Sequence, residues 1–230
     1  MESCLYKGIK VYAFESEKED FYDVLLCECC AQEVSFKKGN IKRPHFSHKT
    51  TSPCLFKENE SEEHIAIKTS IFQGLRKYGF VENLVMEKFL GDCISDIYFE
   101  KNGLKYAVEI QLSEQTEAKI IERNAKYYEK GIHVIWVHSY KKFLERIDLD
   151  CKIISLKAWE RWLSAMNYGY MFLHWKEDVI LPVKLSKAGL THRERIVTSG
   201  SLKSLAKDFF GVEKAAWEKF PALKIFQFRK

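Results

Sequence analysis

Two short apolar runs, at 93–99 and 106–112, flank Glu100-Lys101-Asn102-Gly103, and both are rich in residues that favour strands. Asn-Gly between such runs is the chemistry of a tight hairpin turn, because both residues tolerate positive φ. The runs are therefore expected to pair as antiparallel neighbours. Upstream, Ile67, Ile71 and Leu75 recur every four residues, an apolar stripe that predicts a helix over 60–78. Further strands are expected at 82–89 and 132–138, with a helix at about 114–130 between the hairpin and the last strand. The resulting order is α-β-β-β-α-β. Beyond it, 153–156 reads as a short strand and 158–166 as a helix. Trp159 and Trp162 lie on that helix, at a spacing that suits core packing better than stacking on bases.

Acids interrupt these apolar strands. Asp96 stands between Ile94 and Ile97, while Glu109 and Gln111 share the face of their strand opposite Val108 and Ile110. A buried acid must be paired or bound to metal, so Asp96 and Glu109 are expected to converge across the hairpin. Hard oxygens of this kind suit Mg²⁺ or Mn²⁺. Projecting the apolar row of the first helix back one turn lands on Glu63, which predicts that Glu63 points at the hairpin. His64 and Lys68 form the adjacent row, where they are placed to meet phosphate. No second His follows His64 four residues later, which excludes a zincin motif. Glu87, on the strand at 82–89, is a further acid within reach. On the second helix Arg123 and Tyr127 share a face. Glu122 pairs naturally with Lys126, leaving Arg123 as either a phosphate clamp or a solvated cation.

Cysteine usage points to a second metal chemistry. Cys27, Cys29, Cys30 and Cys54 fall in a 28-residue window that also holds His45 and His48. Thiolate and imidazole at such spacing suit tetrahedral zinc, with Cys27 and Cys30 as one pair and His48 and Cys54 as the second; Cys29 and His45 are alternates. The odd total of seven cysteines and the lack of a secretory leader argue against a disulfide framework.

Composition, with 46% hydrophobic residues over 230 positions, supports one sizeable core with smaller appendages. No apolar run reaches the roughly 20 residues of a membrane span, and a cytoplasmic location is expected. The net charge of +5 is unevenly spread. Residues 181–230 hold 11 Lys and Arg against 4 Asp and Glu, a balance of +7 that leaves −2 for the rest. A basic tail of this kind attracts nucleic acid. Within it, helices at 201–209 and 212–220 around Gly211 are expected, with Leu202, Leu205, Phe209 and Trp217 forming a small apolar cluster.

Five ordered segments carry a family resemblance. They are the Cys-rich stretch ending Pro44-His45-Phe46-Ser47-His48, Glu60-Ser61 with Glu63-His64, the Asp96 strand, Glu109-Ile110-Gln111-Leu112-Ser113, and Glu122-Arg123 with Tyr127 ahead of the strand containing Trp136. Over roughly 1–140 the chain resembles the competence protein CoiA-like nucleases of the restriction-endonuclease-like, PD-(D/E)XK superfamily. The resemblance implies an α+β fold with a restriction-endonuclease-like core. It implies metal-dependent hydrolysis of DNA phosphodiesters, with Mg²⁺ or Mn²⁺ held by Asp96, Glu109 and the Ile110 carbonyl. Gln111 stands where the superfamily usually has Lys, as in the CoiA-like group, so the positive charge must come from Lys68 or Arg123 unless Gln111 acts by orienting water. The organisation expected is a zinc-ribbon-like module at 1–58, the nuclease core at 59–166 and a basic helical region at 167–230. Implied partners are DNA and proteins of competence or recombination. A catalytically silent accessory protein and a zinc-ribbon transcription regulator are the competing readings.

Overall fold

The computed structural model describes residues 1–49, 54–57, 60–148, 153–167, 169–176, 179–187 and 193–196. It is an α+β molecule with two sheets. The N-terminal module contains β1 (Ser3–Tyr6), β2 (Ile9–Tyr12), β3 (Leu25–Leu26), β4 (Glu33–Lys37) and β5 (His45–His48). These form an antiparallel five-stranded sheet in the order β2-β1-β3-β4-β5. Its core is small: Cys4, Ala13, Leu25, Val34 and Phe46 are buried beneath Phe21 and Phe36.

The second sheet is built on α1 (Glu62–Tyr78), β6 (Glu82–Phe89), β7 (Ile94–Lys101), β8 (Leu104–Ile110), α2 (Glu117–Glu129) and β9 (Ile132–Ser139), which realise the expected αβββαβ order. β6, β7 and β8 form an antiparallel meander, and β9 lies parallel to β8. Asn102 and Gly103 adopt φ of 53° and 75°, the conformation the Asn-Gly turn demands. That turn is so tight that the strands run on to Lys101 and Leu104, each two residues beyond the end that the apolar pattern alone indicates. Local chemistry also fixes the helix ends. Ser61 caps α1 by accepting from the His64 N–H, Gly79 closes it in the left-handed conformation, and Thr116 caps α2 by accepting from the Lys119 N–H.

Alternation along β8 separates the two helices. Val108 and Ile110 face α1, where the predicted stripe of Ile67, Ile71 and Leu75 is buried together with Phe72. Ala107 faces α2 and packs on Tyr127. The first module docks against α1 through Tyr12 and Phe14, whose rings meet Phe72 at 5.0 and 6.2 Å. Arg76 lies over Phe72 and pairs with Glu15 at 2.7 Å.

The core does not end at 166. After α3 (Tyr140–Leu144), β10 (Ile147–Asp148), β11 (Ile153–Ser155) and α4 (Ala158–Met166) come β12 (Tyr170–Lys176), β13 (Val179–Lys187) and β14 (Arg193–Ile196). They complete a nine-stranded sheet in the order β10-β11-β14-β13-β12-β9-β8-β7-β6. Residues 170–176, 179–187 and 193–196 are thus strands of the sheet rather than part of a helical appendage. β12 covers the outer edge of β9, with Phe172 opposite Val137, and its Met171, Phe172 and Leu173 are all buried. A strand covered on both faces reads as a continuous apolar run, without the alternation that distinguishes it from a helix. The helices expected at 201–209 and 212–220, with most of the basic tail, lie outside the described residues. No helix among the described residues is long and apolar enough to cross a membrane.

α4 packs beside α2, burying Trp159 with Ile120, Trp136 and Leu163. Trp159 lies against the buried ring of His138, 5.3 Å between centroids. Burial pushes His138 down to about 4, with Glu160 opposing only in part. The folded state therefore holds this imidazole neutral where the unfolded chain, titrating near 6.5, takes up a proton. Stability from this group is fully present above about pH 6.5 and is lost as pH falls towards 4. Urea unfolding across that range is expected to show a His138→Gln variant losing about 3 kcal/mol less than the parent.

Candidate functional site

The ladder between β7 and β8 runs from Lys101–Leu104 to Ile97–Val108. Asp96 and Glu109 are the next residues on each strand, where the two begin to part. Here the Ile110 N–H donates to the Asp96 carboxylate at 2.8 Å. The other Asp96 oxygen meets His64 Nε2 at 3.0 Å. Burial alone would raise the Asp96 carboxyl; the facing His64 and Lys68 and the Ile110 N–H hold it below the usual range. Glu109 is 1% exposed. One of its oxygens pairs with Arg123 at 2.5 Å and the other accepts from the Tyr127 hydroxyl. Burial pushes Glu109 up to about 8, Arg123 offsetting only part of that effect and Asp96 adding to it.

Arg123 is therefore paired in this structure rather than solvated alone. It spans from α2 to Glu109 while its guanidinium lies 5.0 Å over the Trp136 ring. Tyr127 is buried and supports Glu109 from below, so it presents no surface to nucleic acid in this conformation. Sequence spacing within one helix cannot reveal either partner, because Glu109 lies 14 and 18 residues away on a strand.

From α1 and the residues just before it, Glu60, His64 and Lys68 enter the site. Glu60 and His64 approach at 3.2 Å, and the ligand atoms of Glu60, His64 and Asp96 all lie within 4.8 Å of one another, a group that can hold a divalent metal. These carboxylates raise His64 to about 10 against the opposing effect of burial. Glu63, expected here, points elsewhere: it accepts from Ser139 Oγ at 3.0 Å and faces Lys142 at 3.4 Å. The reason is helical phase. Four residues turn through 400°, so a backward step along the Ile67 row drifts by about 40° and Glu63 falls on the flank; Glu60, ahead of the Ser61 cap and outside the helix, is drawn inward by Lys68 and His64. Glu60 was legible as the start of the 60–64 segment but not as its inward-facing acid.

Lys68 is fully buried, at 0% exposure, and cannot meet phosphate. Its ammonium donates to both oxygens of Glu60, at 2.7 and 2.6 Å, and to Glu87 at 2.9 Å. Burial disfavours its charge, yet Glu87 and Glu60 hold it protonated, and Lys68 in turn holds Glu87 ionised. Glu87 is equally enclosed, accepting from the backbone N–H of Glu2 and Ser3 and from Ser3 Oγ at 2.9 to 3.0 Å. Its φ of 53° occurs between the register pairs Met86–Ile97 and Lys88–Ser95, in a left-handed conformation that a non-glycine residue adopts at a cost of about 1 to 2 kcal/mol. Glu87 thus joins the site's surroundings as an anchor for β1.

Glu60, His64, Asp96, Glu109, Gln111 and Arg123 line one cavity of about 320 Å³. Leu55 and Phe56 of the first module also line it. The Gln111 side chain donates to the Ser113 carbonyl and hydroxyl at 2.8 and 3.1 Å.

The cysteine cluster is next to this wall. Cys27, Cys30, His48 and Cys54 bring their ligand atoms within 4.8 Å of one another, a set that can hold zinc. Cys27 and Cys54 sulfurs stand 3.6 Å apart and Cys30 Sγ is 3.2 Å from His48 Nε2. A sulfur separation of 3.6 Å is contact, not a disulfide. Of the two alternates, Cys29 is outside the group, and the His45 ring donates to the Arg43 carbonyl at 2.8 Å. Burial and neighbouring thiols keep Cys54 protonated, a state that a bound cation reverses.

Residues 60–188, more than half of the chain, match the family model described as competence protein CoiA, nuclease-like domain. The chain belongs to this family. Residues 13–57 match the competence protein CoiA N-terminal domain. Comparison with curated proteins and with solved structures returned no match. The CoiA nuclease-like match runs through β12 and β13, in agreement with their place in the same sheet as the Asp96–Glu109 hairpin.

Two outcomes are expected from this geometry. Lys68→Met leaves Glu60 and Glu87 uncompensated and should lower unfolding free energy by about 3 to 5 kcal/mol; adding Glu87→Gln should recover part of that loss in the same urea titration. Elemental analysis should find zinc bound by the parent and largely lost from Cys54→Ser, with Cys29→Ser retaining the parent's content.

Proposed function

We propose that this CoiA-family chain is a metal-dependent nuclease that hydrolyses DNA phosphodiester bonds, acting in the cytoplasm in DNA processing during competence, recombination or defence. The observation that carries this reading is the meeting of Glu60, His64 and Asp96 in a cavity that also contains Glu109 and Ile110. Two carboxylates and an imidazole form a mixed oxygen and nitrogen donor set that fits Mn²⁺ well and Mg²⁺ through its oxygens. A divalent cation there supplies charge compensation for the scissile phosphate and acidifies a water.

The protein's own groups do the rest. Asp96, pre-ionised and fixed by the Ile110 N–H, presents a hard oxygen. Glu109 adds a second, with Arg123 and Tyr127 holding its orientation. Arg123, 40% exposed along its side chain, carries the positive charge that Gln111 lacks and can lean from Glu109 towards a phosphate. Lys68 is too enclosed for that task. It fixes Glu60 instead.

A silent accessory role is the second reading, favoured by the engagement of both Glu109 oxygens and by the Gln111 amide being turned to Ser113. Incubation of the parent with linear, single-stranded and supercoiled DNA and Mn²⁺ or Mg²⁺ separates the two. Cleavage is expected, reduced by about 100-fold or more in Asp96→Asn, Glu109→Gln and Glu60→Gln, with Glu63→Gln close to the parent. A parent that binds DNA but cuts none of these substrates with either ion would establish the accessory role.

A further inference from the structure

The first module carries a second concave surface that the hydrolytic site does not use. Lys18, Phe36, Lys37, Lys38, Lys42 and His45 line a pocket of about 360 Å³. It forms where β4 and β5 pair, Lys37 opposite His45, and where the intervening loop folds back. From 34 to 57 the chain holds six Lys and Arg and no Asp or Glu. Lys38 pairs with Glu17, while Lys18, Lys37 and Lys42 have no ion-pair partner among the described residues. The Phe36 floor is held by Phe21 and Phe46, at 5.3 Å from each ring.

Two connections join this pocket to the rest of the molecule. β5 has His45 at the pocket and His48 in the cysteine cluster, ~10 Å apart along an extended strand. Arg43, in the basic loop, reaches Glu62 at 3.6 Å. Glu62 begins α1, and the residues just before it, Glu60 and Ser61, line the hydrolytic cavity. The basic surface and the cavity therefore lie on a connected path across the junction between the two sheets.

We propose that the Lys18–Lys37–Lys42 pocket is a docking site for the phosphate backbone of a DNA strand, leading that strand to the cavity at Glu60 and Asp96. Naming DNA as the occupant rests on the nuclease reading; the contact itself is independent of cutting. Clustered cations neutralise successive phosphates and release counterions, so affinity falls steeply with salt. An aromatic floor between lysines is also the arrangement that single-strand surfaces use.

The test is binding of a fluorescent DNA strand and its duplex to the full, zinc-loaded chain without added divalent metal, over a series of chloride concentrations. Lys18→Gln/Lys37→Gln/Lys42→Gln should weaken binding about tenfold or more and reduce the salt slope by roughly 2 to 3. The matching triple Arg variant should retain both. Unchanged affinity and slope in the Gln variant would overturn the proposal. So would equal loss in the Arg variant with zinc content and melting unchanged, or displacement of DNA by inorganic phosphate at matched ionic strength, which would mark a site for a free anion. Absence of cleavage with this pattern intact would sink the nuclease reading and leave the docking site standing.

Discussion

The ammonium of Lys68, buried between Glu60 and Glu87, is the interaction on which the site depends. A charge at zero exposure is tolerated only when its partners are close and otherwise satisfied. Glu60 is satisfied by Lys68 and His64, and Glu87 by Lys68, Ser3 and the backbone at Glu2. One cation thereby ties α1 to β6 and, through Glu87, to the first strand of the other sheet. The left-handed backbone at Glu87 is consistent with this: a locally unfavourable conformation persists because several hydrogen bonds overdetermine it.

Because Glu87 belongs to both assemblies, the cysteine-bearing module is more than an appendage. Leu55 and Phe56 follow Cys54 directly and line the cavity, so a cation held by Cys27, Cys30, His48 and Cys54 would also hold that wall. The module's apolar core is small, and cross-linking through a metal is the usual remedy when a core is small. Folding of the module and shape of the cavity are thus linked by adjacency in the chain.

The cavity brings together acidic groups that can hold a divalent cation. Glu60, Asp96 and Glu109 crowd one wall; in the structure as it stands, His64 carries a proton between the first two, and burial drives Glu109 towards its neutral form. Arg123 and Tyr127 keep Glu109 oriented while it is so disfavoured as an anion. Like charges at such spacing persist only with a positive partner, either a proton or a metal.

Much of this was legible in the chain. The Asn102-Gly103 turn, the stripe Ile67, Ile71 and Leu75, and the acids within apolar strands follow from local periodicity and turn chemistry, which act over a few residues. Spacing likewise reduced the candidates for the cysteine cluster to six residues. Tertiary structure decided the rest, because those choices depend on helical phase and on partners distant in sequence. It selected His48 over His45, turned Glu60 inward and Glu63 outward, and buried Lys68. It paired Arg123 with a glutamate 14 residues away, and joined 170–176 and 179–187 to the sheet, where the unalternating apolar run of β12 conceals a strand covered on both faces.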